Sequence, residues 1–484
     1  MQYKWVALSN TTIGTLMASL DSNIVLIALP TIGRELPGIT VLDLLWILLG
    51  YQLVTASVLV NFGRLADMFG RVRLYTFGFA LFTVGSGLCS LAQSGPELIG
   101  FRMVQAFGGA FLFSNSAAIL TDAFPSNERG MALGINQVSI VVGSVTGLIL
   151  GGVLTTILGW RSIFWVNIPI GVFATVWSRY HLKEKGTLEG KSRIDLTGNI
   201  AFASGLSLLL LGVTTDALGA VPSLESLSLI FSGIVVIVAF FFIERRVRHP
   251  MFDLSLFRLR LFSAGNSAIF LNSLARGAVT LVLVFYLQGP TMRLNPLEAG
   301  IFLIPISASL VAFGPVSGIL SDRFGARGIS TIGLVVSAVG FLLLAVTVSA
   351  TVTFEAMAIP LILVGSGMGI FASPNRSSIM NSVPAQRRGI ASGVSTTLVN
   401  VGQTLSLGLA FLIMTKTTPL SMLEQIFVGS SPSGSFSFSD FITSIHLVFY
   451  LSTAFLLVAI IPSMLRGSKA VQEHIIETVT NGSR

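Results

Sequence analysis

The chain has 484 residues, of which 52% are hydrophobic and only 10% charged, with a mean hydropathy of +0.84. Soluble domains carry roughly 25% charged residues, so a surface solvated all round is excluded and a bilayer becomes the expected solvent. The formal charge of +8 does not call for nucleic acid if the basic residues line one side of a membrane, while one cysteine, Cys89, and four scattered histidines exclude a disulfide framework and a metal site.

Apolar runs of roughly 20 residues, long enough to cross about 30 Å of hydrocarbon, number fourteen. They lie near 7–30, 42–62, 72–92, 97–121, 131–156, 162–180 and 196–213, then near 227–244, 263–288, 298–320, 329–349, 353–375, 390–414 and 441–464. The first contains Asp21 and exceeds the core of a signal peptide, with no A-x-A-like site after it, so it reads as a retained span. With the N-terminus placed in the cytoplasm, 23 of the 29 Lys and Arg residues fall in inner segments, four in outer ones (Arg34, Arg161, Arg293, Lys416) and two, Arg102 and Arg276, inside spans. Such asymmetry predicts that both termini are cytoplasmic and explains the net charge without nucleic acid. Gly429 to Ser439, rich in Ser and Gly, reads as a flexible outer loop.

The chain repeats itself. Gly63-Arg64-Leu65-Ala66-Asp67-Met68-Phe69-Gly70-Arg71 returns as Gly318-Ile319-Leu320-Ser321-Asp322-Arg323-Phe324-Gly325-Ala326, 255 residues later, and Pro125, Arg129, Gly130 and Gly134 are echoed by Pro384, Arg388, Gly389 and Gly393. The expected architecture is an all-α polytopic membrane protein: a six-helix half over 1–194, two inserted helices with linkers over 195–248, and a second six-helix half over 249–484. Parallel repeats of this kind build central cavities in secondary transporters.

Gly63 to Arg73, GRLADMFGRVR, resembles motif A of the major facilitator superfamily in sequence and in its place between spans 2 and 3. The fourteen spans, Leu20-Asp21-Ser22-Asn23-Ile24-Val25-Leu26-Ile27-Ala28-Leu29-Pro30 in span 1, and Trp160-Arg161-Ser162-Ile163-Phe164-Trp165-Val166-Asn167-Ile168-Pro169-Ile170-Gly171 opening span 6 are similar to the fourteen-span drug:proton antiporters. Arg102-Met103-Val104-Gln105-Ala106-Phe107-Gly108-Gly109 resembles motif B, with Ala106 where Gly is usual, and Gly147-Leu148 stands where antiporters of the family have Gly-Pro. The resemblance implies a gating role for motif A and a part in proton coupling for Arg102.

Physical chemistry supplies its own reading of these residues. Gly63, Asp67, Gly70, Arg71 and Arg73, with Gly318, Asp322 and Gly325 in the echo, form turns whose charges lie at helix ends, where dipoles add to pair energies, so the cluster is expected to latch one half to the other. Asp21 lies nine residues before Pro30, about 14 Å into span 1, and an ionisable group there is a functional candidate by default. Asp21 is the leading proton carrier, with Arg102 positioned to modulate it; a purely structural bond between helices is the alternative. Adding the 255-residue offset to position 21 gives Arg276, which suggests either a shared Asp21–Arg276 network or an arginine facing a polar pocket near Asn272. Gly143, Gly147 and Gly151 fall on one helix face and permit close backbone approach.

Candidate cavity residues are Asp21, Arg276, Gln105, Asn115, Asn136, Tyr286, Asn400 and Gln403, with Gln52, Gln137, Phe107, Phe111 and Phe371 also in spans. An apolar, aromatic wall with a few polar groups suits amphipathic ligands. The expected function is proton-coupled efflux of amphipathic small molecules, preferably cationic, across the cytoplasmic membrane by alternating access. The alternatives are a pH-independent facilitator or importer of a metabolite and, more remotely, a non-transporting receptor. No nucleophile, paired-carboxylate or cofactor constellation points to an enzyme. The expected partners are substrate, protons and lipid, and the expected working unit is a monomer.

Overall fold

A computed structural model describes residues 2–125, 128–184, 195–217, 223–247, 250–384, 387–428 and 439–466. Most of the loop 429–439, the basic residues Lys185, Lys191, Arg193, Arg248, Lys469 and Arg484, and His249 and His474 lie outside the described residues.

Every regular element among the described residues is helical. The first group comprises α1 (Tyr3–Glu35), α2 (Val41–Phe69), α3 (Arg71–Leu91), α4 (Gly95–Ala123), α5 (Arg129–Leu158), α6 (Ser162–Trp165) and α7 (Asn167–His181). A hairpin of α8 (Leu196–Ala217) and α9 (Leu224–Glu244) follows, then a short 3-10 turn, Leu254–Arg258. The second group comprises α10 (Arg260–Arg276), α11 (Val279–Gln288), α12 (Pro296–Phe302), α13 (Ile304–Phe324), α14 (Ala326–Thr347), α15 (Phe354–Asn381), α16 (Arg388–Thr417), α17 (Leu420–Val428) and α18 (Ser439–Met464).

Thirteen helical segments among the described residues are long and apolar enough to cross a bilayer, with α10–α11 and α12–α13 each counting as one. The expected sixth span departs from the pattern because it is broken at Val166 into α6 and α7, of 4 and 15 residues. Pro169 is the cause: it has no N–H to give to the carbonyl of Trp165, four residues back, so the ladder stops there and restarts with Asn167. Pro305 acts likewise between α12 and α13, where it cannot bond Ile301.

The repeated glycine turns are repeated in conformation as well. Gly70 (φ 108°) joins α2 to α3 and Gly325 (φ 86°) joins α13 to α14, each donating its N–H to the carbonyl four residues earlier. Both backbones occupy a region that side chains rarely adopt, which is why glycine stands at both places. We call the end of the bundle that carries these turns the basic end.

Within the first group α1 and α5 touch backbone to backbone. A Cβ at Gly143 or Gly147 would come 2.6 Å from the carbonyl oxygen of Leu16 or Leu20, so any larger residue forces the helices apart. The two groups meet most tightly away from the basic end: a Cβ on Gly152 would fall 2.7 Å from Pro296 O, one on Gly300 2.8 Å from Leu148 O, and Gln288 Nε2 donates to Ile27 O at 2.8 Å. The space between the groups is thus closed at that end. The α8–α9 hairpin lies across the seam. Asn199 bonds the Ser57 carbonyl of α2, and Asp216 pairs with Lys416 of α16 at 3.6 Å.

Candidate functional site

Asp21 is fully buried midway along α1, with Arg102 of α4 at 1% exposure against it. Arg102 Nη1 donates to Asp21 Oδ2 at 2.5 Å and to Gln105 Oε1 at 2.6 Å, while Gln105 Nε2 and Asn167 Nδ2 donate to Asp21 Oδ1 at 2.8 and 2.9 Å. The guanidinium also lies 4.2 Å from the ring centre of Tyr51 on α2, an attraction that desolvation strengthens. Asn167 passes the network to α3 through Ser86 Oγ at 3.2 Å, and Ser86 donates to Phe164 O at 2.9 Å. Both carboxylate oxygens are therefore satisfied, and side chains from α4 and α7 converge on one charge of α1.

This arrangement holds an ion pair where either member alone would be costly: losing one partner of a buried pair typically costs about 3–5 kcal/mol. The Asp21 carboxylate is the only acid that faces Arg102 among the described ion pairs. The break at Val166 positions the amide that completes the set, because it makes Asn167 the first residue of α7. Asn167 carried no role in the sequence reading. The signal available was a polar amide buried two residues before a proline in an apolar run.

The other charged cluster sits at the basic end. Asp67 Oδ1 and Asp122 Oδ2 each accept from Arg71 at 2.7 Å, while Glu184 receives the backbone N–H groups of Arg71 and Val72 at 2.9 and 3.0 Å. This cluster ties α2, α3, α4 and the segment after α7 to one another, all within the first group, rather than spanning the two groups. Its link beyond that group is Arg64, which bonds the carbonyl of Pro250 just after the hairpin. Arg73 and Asp322 are exposed. In the echo, position 326 is Ala where the first repeat has Arg71, so the second turn keeps the backbone shape without that arginine.

The remaining candidates are dispersed. Gln105 belongs to the Asp21 network. Asn115 donates to Phe111 O of its own helix at 2.9 Å, Asn136 Nδ2 to Thr15 Oγ1 at 3.2 Å, and Tyr286 Oη to Ser349 O at 2.5 Å, near the closed end. Gln52 accepts from Thr404 at 3.2 Å and Gln137 from Arg376 at 3.0 Å, both across the seam. Phe62 stacks on Phe111 with ring centres 3.8 Å apart and lies 6.1 Å from Phe107, while Phe371 is buried. Arg276 ends α10, and it is not brought to Asp21. Asn400 and Gln403 on α16 are half-buried.

Comparison with known proteins agrees with this geometry. The family model of the Major Facilitator Superfamily matches residues 11–407 and 266–474. The chain is 33% identical over 417 residues to the riboflavin transporter RibZ of Clostridioides difficile, covering 85% of this chain and 88% of that protein. It is 32% identical over 396 residues to the multidrug resistance protein Stp of Mycobacterium tuberculosis, covering 82% and 73%. Among solved structures, an auto-inhibited POT family peptide transporter superposes with a TM-score of 0.69 at 16% identity, covering 96% of both chains, and a D-xylose-proton symporter with 0.64 at 13%, covering 95% and 97%.

Proposed function

This chain belongs to the Major Facilitator Superfamily of membrane transporters, and on that premise we propose that it exports amphipathic small molecules in exchange for protons. The observation that carries the proposal is the sealed Asp21–Arg102 pair in the middle of the first group. Protonation of Asp21 frees Arg102, loosens the joint between α1, α4 and α7, and lets the halves rock about the seam; loss of the proton restores the pair. Coupling then runs through helix packing, since Asp21 is sequestered from the space between the halves and does not compete directly for substrate. A cationic substrate loses its expected counter-charge on the same ground.

In this reading the basic end faces the cytoplasm, both termini lie there, and the charged cluster around Arg71 reinforces the turn that moves when that end opens. The multidrug resistance protein among the relatives supports efflux. A second reading, pH-independent passage of a metabolite, is favoured by the riboflavin transporter among them and by Leu148 in place of proline. Uptake of amphipathic dyes into energised inside-out vesicles separates the two. Export by proton exchange gives uptake that a protonophore abolishes, whereas a facilitator equilibrates dye at an unchanged rate.

A further inference from the structure

The second group carries positive charge inside its helices without a fixed counter-ion. Arg276 is partly exposed, its Nε is buried without a hydrogen-bond partner, and it joins no ion pair among the described residues. One helical turn earlier Asn272, at 5% exposure, has its side-chain oxygen unpartnered as well. Both lie on the side of α10 away from Leu274, which lines a small apolar cavity against Val448 and Leu451 of α18. The next residue, Gly277, packs against α16, where a Cβ would sit 2.7 Å from the Gln403 Cα. Gln403 in turn neighbours Thr404, whose hydroxyl crosses the seam to Gln52.

Repeat symmetry makes the imbalance plain. Asp21 corresponds to Arg276, but the positions that match Arg102 at the 255- and 259-residue offsets are Met357 and Leu361, both fully buried apolar residues. The first half therefore completes its own ion pair, and the second half holds an arginine with no acid. Asp21 is the one carboxylate deep in a span, and Arg102 already neutralises it. Nearer the basic end Arg376 crosses the seam to the neutral Gln137 and joins no ion pair among the described residues. An unpaired charge at this depth is costly, and guanidinium groups select planar, two-oxygen anions.

We propose that Arg276, with Asn272 one helical turn away, binds a carboxylate or comparable anionic group on the transported molecule, so that the substrate class is amphipathic anions. The proposal rests on the transport reading above and extends it to the charge of the cargo. Anion binding at Arg276 supplies the counter-ion that the fold omits, and the apolar remainder of the ligand lies against the seam.

Equilibrium binding tests this with two dyes of one ring system, fluorescein (anionic) and rhodamine 6G (cationic), read by fluorescence polarisation against the protein in zwitterionic-lipid nanodiscs with empty discs subtracted. The expected result is binding of fluorescein at least about tenfold tighter than rhodamine 6G. Arg276→Gln removes that preference and Arg276→Lys retains part of it, with the melting curve of each variant reporting its folding. Equal affinities, a preference for rhodamine 6G, or no binding of either dye by the native protein overturns the proposal without recourse to a variant, as does an unaltered preference in folded Arg276→Gln. No gradient is present in this assay, so fluorescein binding through Arg276 without proton-driven transport refutes the antiport reading and leaves the site intact.

Discussion

Asn167 is the residue whose removal separates Asp21 from α7 and α3. It gives Asp21 one of three side-chain donors, and a hydrogen bond to a charged group is worth about 1.5–3 kcal/mol. Asn167→Ala is expected to lower stability by about that amount in a thermal melt and to reduce substrate-driven proton release, while dye binding persists because Asn167 does not touch the seam. Unchanged proton release in a folded Asn167→Ala variant removes Asn167 from the coupling network. Asp21 and Arg102 were legible because ionisable groups are rare inside apolar spans. Asn167 and Tyr51 were not, because amides and tyrosines are common there, and the contact of Asn167 with Asp21, 146 positions away, depends on helix phases that no local pattern encodes. The contact suggested between Asp21 and Arg276 is absent, because Arg102 already occupies the carboxylate.

At the scale of the helix, the glycine stripe of α5 decides how closely the helix that carries Asp21 is held. Gly147 abuts the carbonyl of Leu20, the residue before Asp21, and a methyl group there would stand 2.6 Å from that oxygen. Gly147→Ala is expected to destabilise the protein by about 1–3 kcal/mol, the usual range for overpacking. Gly134→Ala, at a position with nothing within 4 Å of an added Cβ, is expected to be neutral or slightly stabilising, since Ala favours helix over Gly. Similar melting temperatures for the two variants contradict the packing account. The stripe itself was visible in the spacing of Gly143, Gly147 and Gly151, and hydropathy located the long helices. The break in the sixth span was not visible, because hydropathy averages over the point where Pro169 interrupts the ladder.

The whole molecule is two helical groups bridged by a hairpin that touches both. Glu244, at the end of α9, receives the N–H groups of Met251 and Phe252 at 3.1 Å each, fixing the entry into the second group beside the carbonyl that Arg64 engages. The hairpin is therefore anchored beside both halves at the basic end, while α2 and α16 meet its long side. The two glycine turns were legible because GRLADMFGR and its echo mark them in the sequence. The path of the hairpin across the seam was not, since its apolar surface is compatible with any lipid-facing position.

The account stands on the coupling of Asp21 to movement of cargo, and proton release from acid-loaded proteoliposomes measures it directly. Native protein and Asp21→Asn are compared on addition of amphipathic dyes of either charge, with dye binding measured in parallel. The account predicts that dye dissipates the proton gradient through the native protein and fails to do so through Asp21→Asn, although the variant still binds dye. Dissipation at the native rate by Asp21→Asn, or dye that equilibrates through the native protein at a rate indifferent to pH, contradicts it.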